Sequence, residues 1–391
     1  MRKLCILLLV ALVALSGCWS RTELNDLGIV LGMAVDAGEE EPVRMTFYIP
    51  RPQFGGQGGG GAAKPAAVWA VTREAPSISE ALQEMRMASS RRIVLDHLRV
   101  LLIGEEYART RGVGELLDAL AMNAELRLTL RPFVVEGRAA DVFQAVPQLR
   151  LFQPMNLVGM MQAKGGVDWR LKNVLVARSS ETHSSWMYAL KVMEREALTP
   201  VGPEEAAVLS GAALFIGDEL VMILHPPDSQ FLLWFLGSSK GTILTVPCPK
   251  PEEGTFSGHV LSGRASVHPH MEGDQVSFLV RVKASVNLSR VQCKLRMNHP
   301  EDRRLLEEHM AAYVRRNVAD LVERLQKGGV DPAGFGKHLQ LAYPRYYKTI
   351  GERWKEVWPN AKVTVEARVN IPRSGLLTSP GSKTDEELMN W

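Results

Sequence analysis

The chain has 391 residues, 46% hydrophobic and 23% charged, a balance that excludes a disordered chain, while 33 Gly with 22 Pro exclude a collagen-like repeat. Its 46 Lys and Arg against 43 Asp and Glu give a net charge of +3, which argues against a nucleic-acid binder, since those carry a marked basic excess. Four cysteines are too few for a disulfide scaffold, and the length predicts roughly two or three domains, each able to bury a core.

The first element is a targeting signal. Arg2 and Lys3 precede the apolar run Leu4 to Leu15, and Leu15-Ser16-Gly17-Cys18 follows. That run is shorter than the ~18 residues a membrane-spanning helix needs, so it reads as a secretory signal. The small residues ending in a cysteine form a bacterial lipobox. Residues 1–17 are therefore expected to be a lipoprotein signal peptide. Cys18 is expected to become the mature amino terminus, carrying S-diacylglyceryl and N-acyl chains that include palmitate. Two or more acyl chains suffice for a stable anchor, at about 0.8 kcal/mol per buried methylene. Losing Arg2 and Lys3 leaves 44 basic against 43 acidic residues, and no basic cluster flanks Cys18 in the sequence, so the lipid itself is the anchor. Cys248 and Cys293 remain in the exported part. Sequence does not supply the distance that a bridge between them requires.

Along the mature chain, Leu27 to Val35 and Val43 to Ile49 read as strands. A glycine-rich stretch, 55–61, reads as a flexible hairpin loop before another strand at Ala67 to Thr72. Ser77-Ile78-Ser79-Glu80 is a capping box, and Ile78, Ala81, Leu82 and Met85 share one helical face behind it. Leu98 to Ile103 is a short apolar strand, and Val113, Leu116, Leu117 and Leu120 mark a second helix. Leu126, Leu128 and Leu130 alternate with polar residues and predict a strand. Leu198 to Pro203, with two prolines and a glycine, is the best boundary in the chain. Past it, Val208 to Phe215 and Glu219 to Leu224 flank Gly217-Asp218 as a hairpin. Val276 to Val286 alternates as a clear strand, preceded by a turn at 272–274, and Val291 to Leu295 reads as an apparent strand. A long helix opens at Pro300 and stops at Gly328-Gly329. Asp331-Pro332 starts another, Tyr343 to Trp358 is helical, and Val363 to Ile371 closes as a half-buried strand. The expected class is mixed α/β (α+β), with mixed sheets flanked by helices. The expected division is 18–199 as an N-terminal α/β domain, 204–375 as a C-terminal α/β region with a further division near 273, and 376–391 as a polar tail.

Motifs that carry chemistry mostly fail on context. Gly56-Gln57-Gly58-Gly59-Gly60-Gly61 matches a dinucleotide fingerprint, but Lys64-Pro65 and a strand follow where a phosphate-binding helix is required. Gly237-Ser238-Ser239-Lys240-Gly241 matches a nucleophile elbow, in which Ser239 would attack. The chemistry needs a helix after the serine, and Thr242 to Val246 reads as a strand. His268 and His270 could share a strand face but lack further metal ligands, and Pro269 suggests a strand-end turn there. Asp96-His97 reads as local capping or surface pairing. Trp354 and Trp358, four apart, read as a core or docking stripe. No catalytic, cofactor-binding or metal residue is therefore assigned.

The opening Cys18-Trp19-Ser20-Arg21-Thr22-Glu23-Leu24-Asn25-Asp26-Leu27 resembles the mature N-terminus of the Ger(x)C family, the lipoprotein C subunits of spore nutrient germinant receptors. The resemblance continues through Arg91 to His97, Leu101 to Ala108, Leu209 to Phe215, Gly336-Lys337 and Tyr343-Pro344 through Pro359. Ser20 departs from the family's aspartate, and the glycine run looks like an insertion. The resemblance implies a fold of about three domains and a non-enzymatic subunit lipid-anchored on the outer face of the spore inner membrane. It implies a membrane-embedded B subunit and an A subunit as partners, with the nutrient bound mainly by a partner, no cofactor and no nucleic acid. The rival reading is a lipid-tethered extracytoplasmic solute-binding protein of a transporter.

Overall fold

In the computed structural model, the described residues are 23, 26–51, 68–145, 152–163, 166–180, 182–195, 204–239, 241–273, 275–295 and 299–372. Cys18, the glycine run, the 198–203 boundary segment and the 376–391 tail lie outside them. The chain enters through β1 (Leu27–Ile29), β2 (Gly32–Ala37), β3 (Val43–Pro50) and β4 (Val68–Ala75). Ser77 then caps α1 (Ile78–Ala88): its Oγ accepts the Glu80 N–H at 3.3 Å, and Ile78, Ala81, Leu82 and Met85 are buried. Next come β5 (Arg92–Val94), β6 (Val100–Gly104), α2 (Glu105–Thr110), α3 (Gly114–Met122) and β7 (Arg131–Glu136). A 3-10 segment at Ala139–Phe143 leads to α4 (Gln153–Ala163), α5 (Leu171–Arg178), β8 (Trp186–Arg195), β9 (Glu204–Ile216) and β10 (Glu219–Leu224).

These strands, apart from the β1–β5 pair, form an eight-stranded sheet in the order β10-β9-β8-β7-β6-β2-β3-β4. The central strands β2, β6, β7 and β8 run parallel, and antiparallel hairpins extend both edges. Parallel strands are covered on both faces, which is why β6 (VLLIG) is buried at every position. One face packs Met33, Phe47, Ile103 and Phe215 against α1, α2, α3 and α5. The other carries Leu102, Phe133, Trp186 and Leu214 into a core shared with the rest of the chain.

That remainder begins with α6 (Asp228–Phe235), followed by β11 (Ile243–Pro247), β12 (Thr255–Glu272) and β13 (Gln275–Val291). The 28-residue α7 (Pro300–Lys327) follows, then α8 (Phe335–Ala342), α9 (Pro344–Ile350), α10 (Trp354–Val357) and β14 (Lys362–Asn370). Strands β11-β12-β13-β14 make a second, four-stranded sheet, with β14 joining β13 in parallel. Its inward Phe256, Phe278, Val280 and Val286 share a core with Leu306, Met310, Val314, Leu321 and Leu325 of α7. Cys248 and Cys293 form a disulfide with their Cα atoms 5.5 Å apart, which answers what sequence left open.

Four expectations change. Leu126 to Leu130 is a pair of turns, not a strand. The Leu128 and Leu130 carbonyls accept the Lys172 and Leu171 N–H groups at 3.1 and 2.9 Å, serving the amino end of α5 rather than a sheet neighbour. β13 ends at Val291, and the chain bends at Cys293 into the disulfide, so Val291 to Leu295 is not a strand. Pro269 lies inside β12, opposite Phe278; β11 pairs only with Thr255–His259, leaving Pro269 on an open edge where its missing N–H costs nothing. Asp331 does not begin a helix but caps α8 from four residues ahead, its carboxylate accepting the Phe335 and Gly336 N–H groups at 2.8 Å each. The sheet also runs across the expected 199/204 boundary, since β8 and β9 pair antiparallel from Trp186↔Leu214 to Arg195↔Glu204. Residue 273 sits at the tip of the β12–β13 hairpin.

Candidate functional site

The residues singled out from sequence do not converge on one centre. Ser239 follows α6 and precedes β11, the reverse of the strand-then-helix order an attacking serine needs. It is buried, and its Oγ accepts the Gly263 N–H at 2.6 Å, closing the backbone of β12. His268 and His270 are both exposed on β12, with His268 Nε2 3.0 Å from Ser266 Oγ; no metal-holding group of three His, Cys, Asp or Glu occurs among the described residues. His97 lies 3.6 Å from Asp96 on the surface. Trp354 and Trp358 stack at 5.9 Å inside the core, touching Phe278 and, through Trp358, Phe335.

Two clefts among the described residues gather charged side chains instead. The first, about 540 Å³, opens at the carboxyl ends of β2 and β6. There the strand order turns back on itself, the place where open α/β sheets hold ligands. Here the protein fills the position with its own side chain. Asp36 is buried and its carboxylate accepts the Ala139 and Ala140 N–H groups at 2.6 and 3.1 Å. Burial pushes its pKa up, and the two backbone bonds oppose that. Gly104 is required beside it, because a Cβ there would lie 2.3 Å from Asp36 Oδ1. Two of the cleft's arginines are also engaged: Arg44 with Glu74 at 3.2 Å, and Arg109 with Glu105 at 2.9 Å. This crevice is a structural joint, with its backbone donors spent internally.

The second cleft, about 450 Å³, lies between the end of α5 and the segment before β8 on one side, and the segments 329–331 and 351–358 on the other. Asp331 is its buried floor. Burial pushes the carboxyl up to about 7, against the backbone bonds from Gly336, Phe335 and Gly334 that favour the ionised form. Across from it, burial and then Lys337 hold the His183 imidazole down to about 4, so it stays neutral at pH 7. Arg178 closes one end, binding both Asp118 and Asp218; the two carboxylates raise the guanidinium further, and its hydrogen bond in turn holds Asp118 down. Gly336 fits only as glycine, since a Cβ would meet the Trp354 ring at 2.7 Å and the Thr182 carbonyl at 3.0 Å. The arrangement couples two halves of the chain through hydrogen bonds; it presents no nucleophile paired with a base. Asp36, Asp331 and Arg178 were not legible as site residues. The signal was an acid inside the apolar run Met33-Ala34-Val35-Asp36 and an acid before Pro332.

Residues 20–189 match the model described as spore germination protein N-terminal domain, and residues 210–375 match the one described as spore germination B3/GerAC like, C-terminal. The chain belongs to the Ger(x)C family. It is 27% identical over 380 residues to putative spore germination protein YfkR of Bacillus subtilis (strain 168), covering 95% of this chain and 97% of that one. It is 23% identical over 394 residues to spore germination protein KC of the same strain, covering 96% and 97%. The crystal structure of the GerBC protein matches with a TM-score of 0.57 at 19% identity, covering 87% of this chain and 97% of that one, which shows a common fold. The sequence blocks that carry the Ger(x)C resemblance lie in β5, β6, β9 and around the second cleft, where Gly336 packs under Trp354.

Proposed function

We propose that this chain is a non-enzymatic, lipid-anchored subunit of a spore germinant receptor, held on the outer face of the spore inner membrane and assembling there with the A and B subunits. The observation that carries it is the correspondence, nearly end to end and in order, with spore germination proteins. No helix among the described residues is long and apolar enough to cross a membrane; in this reading the lipid on Cys18 supplies the attachment. Tethering raises the effective concentration of the ectodomain near membrane partners without requiring tight contacts in solution. Its action is differential contact: it favours one conformation of the assembly, and nutrient binding elsewhere shifts that balance. Deleting the gene should abolish germination to one nutrient class, while sporulation and germination by non-receptor triggers continue. Normal responses to every nutrient in a strain without a second copy of the family would refute the assignment.

A further inference from the structure

The outward face of the four-stranded sheet carries Arg264, Arg281, Lys283, Lys362 and Arg368 against Glu366 and, at the hairpin tip, Glu272. Register places three of these cations in one row: Arg264 opposite Lys283, and Lys283 opposite Arg368, across three adjacent strands. All three are exposed, and among the described residues none has an ion-pair partner. The next row has the pair Arg281–Glu366 at 3.6 Å, and the row on the other side is uncharged Ser262, Ser285 and Asn370. Neighbouring strands lie about 4.8 Å apart, so the three charges span about 10 Å, and like charges directly opposite each other destabilise a sheet. A row that weakens its own sheet points to a partner that neutralises it. Exposed Ile243 and Leu261 flank the same face.

We propose that this face docks an acidic segment of another protein, its carboxylates seated on the Arg264–Lys283–Arg368 row. Guanidinium groups accept carboxylates through paired hydrogen bonds, and such charges steer association and set specificity. The outward positions of β12, β13 and β14 hold no Trp, Tyr or Phe, the side chains with which a protein wedges into a bilayer interface or stacks nucleobases. The docking face deepens the assembly reading and rests on it for the source of the partner.

The test uses the purified full chain, a fluorescein-labelled decaglutamate peptide, and vesicles of phosphatidylglycerol and phosphatidylcholine. Peptide binding should weaken with salt and fall at least tenfold in the Arg264→Ser, Lys283→Ser, Arg368→Ser variant, whose thermal midpoint should equal or exceed the parent's. Lys283→Glu, which places a carboxylate between two guanidiniums, should raise the midpoint and also abolish binding. Peptide binding equal to the parent's in either variant, or a lowered midpoint in Lys283→Glu, would overturn the proposal. So would row-dependent binding to vesicles alone, or peptide binding seen only after removal of 376–391, which would make the chain's own tail the occupant. These outcomes are independent of the germination phenotype, so failure of the docking face and failure of the receptor assignment are separately visible.

Discussion

Ser184 and Asp331 hold each other twice. The Ser184 N–H donates to the Asp331 carbonyl at 3.0 Å, and the Asp331 N–H donates to Ser184 Oγ at 2.9 Å. This double bond-pair joins the segment entering β8 of the large sheet to the segment that caps α8 beside the small one. It is a polar clasp over a shared apolar core, with Asp331 buried and Ser184 half-buried. Ser184→Ala should therefore leave the Asp331 N–H short of an acceptor and cost about 1–3 kcal/mol. Chemical denaturation at neutral pH measures it, and a change below about 0.5 kcal/mol would mean that water replaces the hydroxyl there.

The two titrating groups at this clasp act in opposite directions over the same pH range. Asp331 has its folded value raised from 3.8 to about 7, so its contribution is fully present below about pH 4 and is lost as pH rises toward 7. His183 has its folded value lowered from 6.5 to about 4, so its contribution is present above about pH 6.5 and is lost as pH falls toward 4. Asp331→Asn should leave only the histidine's slope, with the thermal midpoint rising from pH 4 to 7 relative to the parent. His183→Gln should leave the opposite slope. Midpoints followed by circular dichroism at pH 4, 5.5 and 7 would show this divergence, and parallel profiles for both variants would refute it.

What could be read locally was read well. The Pro300 start and Gly328-Gly329 stop of α7, the alternation of β13, the β9–β10 hairpin and the Ser77 cap each depend on residues within a turn or two of one another. The Ser239 motif was also dismissed on local grounds, by the strand that follows it. The clasp was not legible, because Ser184 and Asp331 are 147 residues apart and neither has a distinctive neighbourhood. Nor was the Asp36 plug, whose partners Ala139 and Ala140 lie more than 100 residues downstream. Leu126 to Leu130 misled because alternation is compatible with successive turns when the carbonyls are claimed from outside, here by α5. The cation row became visible only once register aligned β12, β13 and β14.

The disulfide closes a span of 45 residues that includes the whole β12–β13 ribbon. Both cysteines are buried, with Cys248 just past β11 and Cys293 just past β13. In the chain-entropy account, a loop of that length contributes about 4 kcal/mol by restricting the unfolded chain. The paired substitution Cys248→Ser with Cys293→Ser should lower stability by about 2–4 kcal/mol, and reductant should have the same effect on the parent but none on the variant. Urea titrations with and without dithiothreitol test this; identical curves for all four conditions would show that the bridge contributes nothing measurable.

Attachment to the membrane is expected to rest on Cys18 alone. The described chain begins its sheet at Leu27, and the residues from Cys18 to Asp26 can span at most about 30 Å when extended. A diacylated Cys18 would therefore keep the first strands within that distance of the bilayer, whatever the orientation of the ectodomain. Cys18→Ala should leave the fold intact, with an unchanged thermal midpoint, but shift the protein from the membrane to the soluble fraction of a lipidation-competent host. Mass spectrometry of the parent should find the diacylglyceryl group on the mature amino-terminal residue. An unmodified Cys18 in that host, or a Cys18→Ala protein that still sediments with membranes in the absence of its partners, would mean that another part of the chain holds it there.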